Sequence, residues 1–269
     1  MTATPTATAP NERGYVFSNA KATAAERLAL LARIFDPITQ NALAPIVARG
    51  AHCWEVGAGN GTIATWLLDR VGEHGCVLAT DLDPRFLEPL ARPNLIVRRH
   101  DVVNDPIPET RFDLIHARLL LCHLPERETV LQRLISSLNS GGWLVVEDFD
   151  SLSLLPDPTT HPSETPLRTM SAMRQYMEDR GVDLRFARTL SAKMRQYGLA
   201  AVNAEGRVFM NHSGSAFTHF QRLTLEQLRD DLITGGHVTA SEFADDMAAL
   251  EQRYMAPSPV FWSVIGKRP

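Results

Sequence analysis

The stretch of sequence that decides the fold is EVGAGNGT, at residues 55–62. It follows a short apolar run that predicts a buried strand, residues 53–56, and it leads into a helical pattern at residues 62–71. Glycines at positions 57, 59 and 61 allow the backbone to turn sharply and to approach a ligand closely, because glycine has no Cβ atom. A strand, a glycine-rich turn and a helix in this order are typical of open α/β sheets, which bind ligands at the carboxyl ends of their strands. The stretch therefore predicts an α/β fold with a ligand site at the turn.

Short apolar strands alternate with helical segments around this turn. The strands are predicted at 53–56, 77–80, 94–99, 112–115 and 143–146. The helices between them are predicted at 62–71, 84–90 and 125–138, and Gly141-Gly142 is expected to close the last one. This alternation indicates βαβ units, and therefore a parallel sheet with helices on both faces, within residues 50–150.

The two ends of the chain flank this core. Residues 1–49 predict a flexible tail followed by a helical cover, with helices at 20–35 and 38–47 that Asp36-Pro37 separates. Prolines between Leu154 and Pro166 predict a rigid, irregular connection. The remaining helices are predicted at 167–180, 183–197, 217–234 and 241–254, and the remaining strands at 201–210 and 260–265. We expect the last strand to return to the same sheet, so that residues 151–269 are a helical insertion with closing strands and not a second independent domain.

The composition is that of a globular protein, with 44% hydrophobic and 22% charged residues. Because 27 basic residues face 31 acidic ones, a nucleic acid is disfavoured as the main partner. The three cysteines, Cys53, Cys76 and Cys122, are scattered, which fits a reducing cytoplasm. No apolar run approaches the roughly 18–20 residues that cross a bilayer, and the first ten residues lack the features of a signal peptide. We therefore expect a cytoplasmic protein without a membrane partner.

An acidic residue beyond the turn indicates what the turn binds. Asp81 ends the next predicted strand, about 20 residues on, where a carboxylate can accept hydrogen bonds from the two hydroxyls of a ribose. The glycine spacing is G-x-G-x-G, whereas dinucleotide sites use G-x-G-x-x-G. Glu55, just before the turn, would repel a pyrophosphate but would suit the ammonium group of S-adenosylmethionine (SAM). The sequence favours SAM over a nicotinamide or flavin dinucleotide, and over a turn that binds nothing.

Four stretches in order, EVGAGNGT, ATDLDP (79–84), RHDVVNDPIPETRFDLIHARLLLCHL (99–124) and LNSGGWLVVED (138–148), resemble the successive motifs of class I SAM-dependent methyltransferases. The flanking GYVFSNA (14–20) and VFWSVIGKRP (260–269) are similar to small-molecule methyltransferases of bacterial secondary metabolism. The resemblance implies a Rossmann-like, seven-stranded, mostly parallel sheet, with a helical lid or insertion after the core.

The resemblance also implies roles for individual residues. It places the methionine part of SAM on the turn, the ribose on Asp81, the adenine beside Leu82, and the adenine nitrogens on Asp101 and Val102. It places His116-Ala117-Arg118, which end the fourth strand, toward the sulfonium and the acceptor. Tyr15 and Asn19 would form part of a lid over SAM, although both can equally be packing residues. The turn residues implied are Glu55, Gly57, Gly59, Asn60 and Gly61.

The fourth strand also limits the chemistry. Its end lacks the Asn/Asp-Pro-Pro-aromatic motif of enzymes that methylate amino groups of DNA and protein, and it lacks the carboxylate with which catechol methyltransferases hold magnesium. We therefore expect metal-independent transfer to a small molecule, aromatic or polyketide-like, at oxygen. An oxygen acceptor benefits from a base, and His116 and His123 are the candidates because the ordinary pKa of histidine is about 6.5. A capping or packing role is the rival interpretation for His123.

Two other functions remain open at this point. The SAM-binding fold can serve non-methylating chemistry, such as cyclisation, decarboxylation or hydroxylation, or it can belong to a non-catalytic SAM-binding partner protein. The sequence does not choose between a monomer and a homodimer. It also does not identify the acceptor.

Overall fold

The computed structural model describes residues 16–153, 167–252 and 254–269. Tyr15 and the proline-rich connection between Leu154 and Pro166 lie outside the described residues. The strands are β1 (His52–Val56), β2 (Cys76–Asp81), β3 (Leu95–Arg99), β4 (Phe112–Arg118), β5 (Leu138–Asp150), β6 (Ala200–Arg207), β7 (Met210–His212), β8 (Met255–Pro257) and β9 (Val260–Lys267). The α-helices are α1 (Ala24–Leu43), α2 (Thr62–Val71), α3 (Arg127–Ser136), α4 (Arg168–Glu178), α5 (Phe186–Gln196), α6 (Ala216–Thr234) and α7 (Ala240–Gln252).

Seven of the described strands form one sheet in the order β3-β2-β1-β4-β5-β9-β6. The strands from β3 to β5 are parallel, and β9 runs antiparallel to both of its neighbours. The predicted Rossmann-like fold with a mostly parallel sheet is confirmed. The chain proceeds outward from β1 to β2 and β3 and then returns to β4 on the other side of β1. This reversal makes the carboxyl ends of β1 and β4 the place where a ligand crevice is expected.

The central strands are buried because helices cover both faces of the sheet, as the apolar runs of β1 and β4 require. Trp54 in β1 is fully buried, and its indole N–H donates a hydrogen bond to Thr80 Oγ1 at 2.9 Å. On the side where α1 and α6 meet, Phe35, Phe217 and Phe261 form part of an aromatic cluster. Described residues contain no helix of the length and apolarity needed to span a membrane.

Helix α1 runs without interruption through Pro37, so the prediction that Asp36-Pro37 separates two helices is wrong. A proline inside a helix removes one hydrogen bond and costs about 3 kcal/mol. The residues on either side, Phe35 and Ile38, are buried in the aromatic cluster. The burial of these large side chains offsets the cost of the proline, because each stabilises the fold by about 1.5–3 kcal/mol.

Two further boundaries differ from the predictions. Helix α3 ends at Ser136, and Gly141-Gly142 lies inside β5 instead of closing the helix. A Cβ atom on Gly142 would approach the carbonyl oxygen of Phe112 to 2.9 Å, so this glycine serves a close approach of two strands. The predicted helix at residues 84–90 is two short 3₁₀ turns, and the predicted strand at 201–210 is divided into β6 and β7.

Candidate active site

A cavity of about 590 Å³ opens at the carboxyl ends of the parallel strands, and it has two dissimilar halves. The first, which we call the loop half, is formed by the glycine turn and by the residues that follow β2 and β3. The second, the helix half, is formed by the segment after β4, the end of β5 and two helices. The loop half is lined by residues 55–60, Asp81, Leu82 and residues 101–104. The helix half is lined by Leu119, Leu120, Cys122, His123, Asp148, Phe149, Met170, Met173, Met177, Phe217, Phe220, Gln221 and Leu225.

The glycine turn has a backbone that other residues would strain. Gly57, Gly59 and Gly61 have φ angles of +69°, +56° and +78°, in the left-handed region that glycine adopts readily. A Cβ atom on Gly61 would approach a methyl carbon of Leu90 to 2.5 Å, and one on Gly57 would approach Leu120 to 3.3 Å. Gly57 and Gly59 line the cavity, so the turn presents its backbone there as a cradle, whereas Gly61 permits close packing of the turn against Leu87 and Leu90.

Asp81 fastens this turn to the neighbouring strand. Its Oδ2 atom accepts a hydrogen bond from the Gly59 N–H at 3.0 Å, and Oδ1 accepts one from the Asp83 N–H at 3.0 Å. Burial raises the pKa of the Asp81 carboxyl, and the two backbone N–H groups oppose that rise. Each carboxylate oxygen retains a lone pair that can accept from a ligand hydroxyl.

The remaining loop-half residues are held by short-range hydrogen bonds. Asp101 Oδ1 accepts from the N–H groups of Val103 and Asn104 at 2.9 and 3.3 Å. The Asn19 side chain donates to the Asp83 carbonyl at 3.1 Å, which places the segment before α1 against the cavity.

Most of the predicted site residues line this one cavity. Those that line the cavity are Asn19, Glu55, Gly57, Gly59, Asn60, Asp81, Leu82, Asp101, Val102, Arg118 and His123. Three others, Gly61, His116 and Ala117, are described but do not line it. Tyr15 lies outside the described residues.

His116 lies beneath the turn, sealed from solvent, between two carboxylates. Its Nδ1 atom is 2.8 and 2.9 Å from the two carboxylate oxygens of Glu55, and its Nε2 atom is 3.4 Å from Glu147 Oε2. Burial favours the neutral ring, but the two carboxylates outweigh it and raise the pKa of His116 to about 9. The ring is therefore a cation at neutral pH. The prediction that His116 lines the cavity and acts as a base does not hold, because β-strand pairing places Glu55 directly beside it.

The contacts continue from His116 to helix α1. The Thr39 hydroxyl donates to Glu147 Oε2 and accepts from Arg118 at 2.9 Å. Arg118 also forms an ion pair with Asp36 at 2.8 Å. Burial favours the protonated form of Glu147, but the hydrogen bond from His116 and the nearby cations keep its pKa low. We call this set the charged layer, and its members are Asp36, Thr39, Glu55, His116, Arg118 and Glu147.

His123 lies in the helix half, in a 3₁₀ turn that follows β4. The ring of Phe17 contacts it edge-on, with 5.9 Å between ring centroids. Loss of hydration and the cations of Arg27 and Arg127 lower the pKa of His123 to about 4. Its imidazole is therefore neutral at neutral pH and is a weak base.

Two polar residues of the helix half were not predicted. Asp148 is fully buried near the end of β5, and Gln221 of α6 is 8% exposed. The Gln221 Oε1 atom has no hydrogen-bond partner among the described residues. Asp148 could have been suspected from the sequence, because an apolar run that ends in acids predicts carboxylates at the ligand edge of a sheet. Nothing comparable marks Gln221, which lies in one helix among several.

Comparisons with known proteins agree with this geometry. The model of a family described as "Methyltransferase domain" matches residues 24–204. Methyltransferase str2 of Strobilurus tenacellus is 32% identical over 154 residues, which cover 56% of this chain and 54% of the relative. The chain thus spans about half the length of that relative.

Solved structures share the fold. Phosphoethanolamine N-methyltransferase 2 of Haemonchus contortus, solved with SAM, has a TM-score of 0.52 and 15% identity, over 96% of this chain and 56% of that one. The [4+2]-cyclase SpnF has a TM-score of 0.52 and 16% identity, over 87% of this chain and 81% of that one. At these identities the likeness concerns the fold alone. The family model extends over more than half of the sequence, from α1 into β6, and on that match the chain belongs to the methyltransferase domain family.

Proposed function

We propose that this protein is a SAM-dependent methyltransferase that methylates an oxygen of a small, largely apolar molecule without a metal ion. One observation supports this more than any other. The glycine turn and Asp81, a carboxylate suited to bind ribose hydroxyls, line the same cavity as a group of apolar side chains. A cofactor and an acceptor bound in the two halves would be neighbours in that cavity.

The loop half fits SAM. The cradle offers backbone where a Cβ atom would intrude, Asp81 keeps lone pairs for the ribose hydroxyls, and Glu55 offers a carboxylate to the ammonium group. Leu82 and the Asp101-Val102 pair line the part of the cavity suited to the adenine. When bound, SAM supplies a methyl group made electrophilic by its positively charged sulfur.

The helix half fits an acceptor with a ring or a similarly apolar body. Phenylalanine, methionine and leucine side chains form most of its wall, and methionine adapts to irregular shapes. Such a wall excludes water, which brings an acceptor oxygen and the methyl group together in a dry site. The neutral ring of His123 can contact the acceptor, and the weak basicity of that ring argues against its use as the base. The acceptor class we propose is a hydroxylated aromatic or polyketide-like metabolite.

The cofactor assignment is tested by calorimetric titration of SAM into the wild type and Asp81→Ala. We expect the variant to bind SAM at least about tenfold more weakly, because the ribose hydroxyls lose their hydrogen bonds to a charged group. Such a bond contributes about 1.5–3 kcal/mol to the binding free energy. Asp83→Ala is the matched control, since the Asp83 side chain pairs with Arg85 and does not line the cavity. Equal affinity in wild type and Asp81→Ala would contradict the ribose assignment.

Methyl transfer itself has a separate readout. In a reaction with an accepted substrate, S-adenosylhomocysteine should accumulate in equal amount to the product. Product formed without S-adenosylhomocysteine would indicate that the fold performs another chemistry.

A further inference from the structure

Asp148 lies in the helix half and is not among the residues that we propose bind SAM. It is fully buried, yet it lines the cavity between Cys122 and Phe149. Its Oδ2 atom accepts a hydrogen bond from the Cys122 N–H at 3.0 Å, and Oδ1 accepts from the Phe149 N–H at 3.0 Å. These bonds fix the orientation of the Asp148 carboxylate.

Asp148 differs from the other buried acids of β5 in its partners. Glu147 faces the His116 cation, and Asp150 forms an ion pair with Arg188 at 2.6 Å. No cationic side chain in the described ranges forms an ion pair with Asp148. Burying a carboxylate without a cation is costly, and the cost falls when the group takes up a proton. Asp148 is therefore suited to exchange a proton with something in the cavity.

The surroundings of Asp148 set its acidity. Burial raises the pKa of the carboxyl to about 6, while hydrogen bonds from Cys122 and Phe149 and the more distant cation of Arg127 oppose the rise. At neutral pH the group is mostly ionised, and it is a much stronger base than His123, whose pKa is about 4. The titratable and charged groups that act on Asp148 are Cys122 on the turn after β4 and Arg127 on α3, and Asp183 before α5 acts on Cys122. His123 and Arg174 line the same cavity.

We propose that Asp148 is the catalytic base of this protein, and that the acceptor is a hydroxylated, mainly apolar ring compound whose O–H donates to Asp148. This inference rests on the proposed function. In the step, the acceptor proton passes to a carboxylate oxygen of Asp148, and an electron pair of the acceptor oxygen forms the new bond to the methyl carbon. The bond from that carbon to sulfur breaks at the same time, and its electron pair remains on sulfur.

A pair of ligands that differ at the hydroxyl alone tests the contact directly. We would titrate 2-naphthol and its methyl ether, 2-methoxynaphthalene, into the wild type, Asp148→Asn and Asp150→Asn. Asparagine keeps one side-chain oxygen, which can accept from the Cys122 N–H or the Phe149 N–H but not from both, so the melting temperature of Asp148→Asn is measured first to establish that the variant folds. Asp150→Asn is the matched control, because it is the same change two residues along the same strand at a side chain that does not line the cavity.

We expect the wild type to bind 2-naphthol at least about fivefold more tightly than the ether at about pH 7.5, a difference of roughly 1 kcal/mol that one hydrogen bond to a charged group can supply. Asp148→Asn should lose this preference and Asp150→Asn should keep it. The wild-type preference should fall at about pH 5, where Asp148 is protonated, and Asp148→Asn should show no such change. With SAM present, Asp148→Asn should convert 2-naphthol at least about a hundredfold more slowly than the wild type, as loss of a general base predicts.

The outcomes separate this inference from the proposed function. S-adenosylhomocysteine is titrated first, and failure of the folded wild type to bind it would overturn the proposed function. If it binds, then equal ligand preference in the wild type and Asp148→Asn, or no binding of 2-naphthol by the wild type, would overturn the role of Asp148.

Discussion

The charged layer and the helix half each hold a histidine, fully buried His116 and half-buried His123, and the two rings differ in charge. Burial disfavours the charged form of both rings, yet His116 has a pKa of about 9 and His123 one of about 4. His116 lies between two carboxylates, whereas the charged groups that act on His123 are Arg27 and Arg127. The comparison teaches that burial by itself favours the neutral ring, as at His123, and that two carboxylate partners reverse this at His116.

The charged layer and the helix half therefore have different roles around the cavity. In the charged layer, fixed charges join α1 to β1, β4 and β5 and so support the glycine turn from below. In the helix half, a neutral ring and apolar side chains surround Asp148, a fully buried carboxylate that forms no ion pair with the described residues. The charged layer therefore stabilises the site, and the helix half is where we propose that proton transfer takes place.

The largest effect is expected from removing the cation of the charged layer. In His116→Leu the carboxylates of Glu55 and Glu147 would remain buried without their shared partner. Loss of one member of a buried ion pair costs about 3–5 kcal/mol of unfolding free energy, which urea denaturation at neutral pH would measure. His74→Leu is the control, because the His74 side chain is 87% exposed. A loss no larger than that of the control would contradict the account of the layer.

The charged layer should also give the protein a characteristic alkaline sensitivity. The folded-state pKa of His116, about 9, lies above its ordinary value of 6.5. Its contribution is therefore complete below pH 6.5 and is lost as the pH rises through 9. Urea denaturation of the wild type should show stability falling across this range, and a His116→Gln variant should lack that component of the fall.

A smaller effect of opposite sign is expected at His123. Its folded-state pKa of about 4 lies below the ordinary value of 6.5, so the unfolded chain binds more protons between these two pH values. The contribution is present above pH 6.5 and declines as the pH falls toward 4, by at most about 1.4 kcal/mol per pH unit. His123→Gln should flatten the acid side of the stability profile measured by urea denaturation, and His74→Gln should not. Parallel profiles for wild type and His123→Gln would show that the ring is not held neutral.

The sequence predicts the loop half well because its signals are local. The strand, the glycine turn and the helix that follow one another in residues 52–71 need no distant contact to be recognised. The environment of His116 could not be predicted in this way, since its partners Glu55 and Glu147 lie 61 and 31 residues away. Strand register brings the three together, and register is a property of the folded sheet.

The same physical reason explains the other differences. Pro37 favours a helix end locally, but buried neighbours that pack against α6 keep α1 continuous. The wall of the helix half comes from α4 and α6, which are well separated in sequence from the glycine turn. Apolar residues at helical spacing predict that such helices pack against the rest of the protein. They do not predict that one face, with Gln221 on it, borders a cavity.

The central claim is that the loop half binds SAM, and a crystal structure of the protein with S-adenosylhomocysteine tests it most directly. We expect the ribose hydroxyls within hydrogen-bonding distance of the Asp81 carboxylate, the adenine beside Asp101-Val102, and the sulfur facing the helix half. Ligand bound at another place, or absent from this cavity in crystals grown with saturating ligand, would contradict the account.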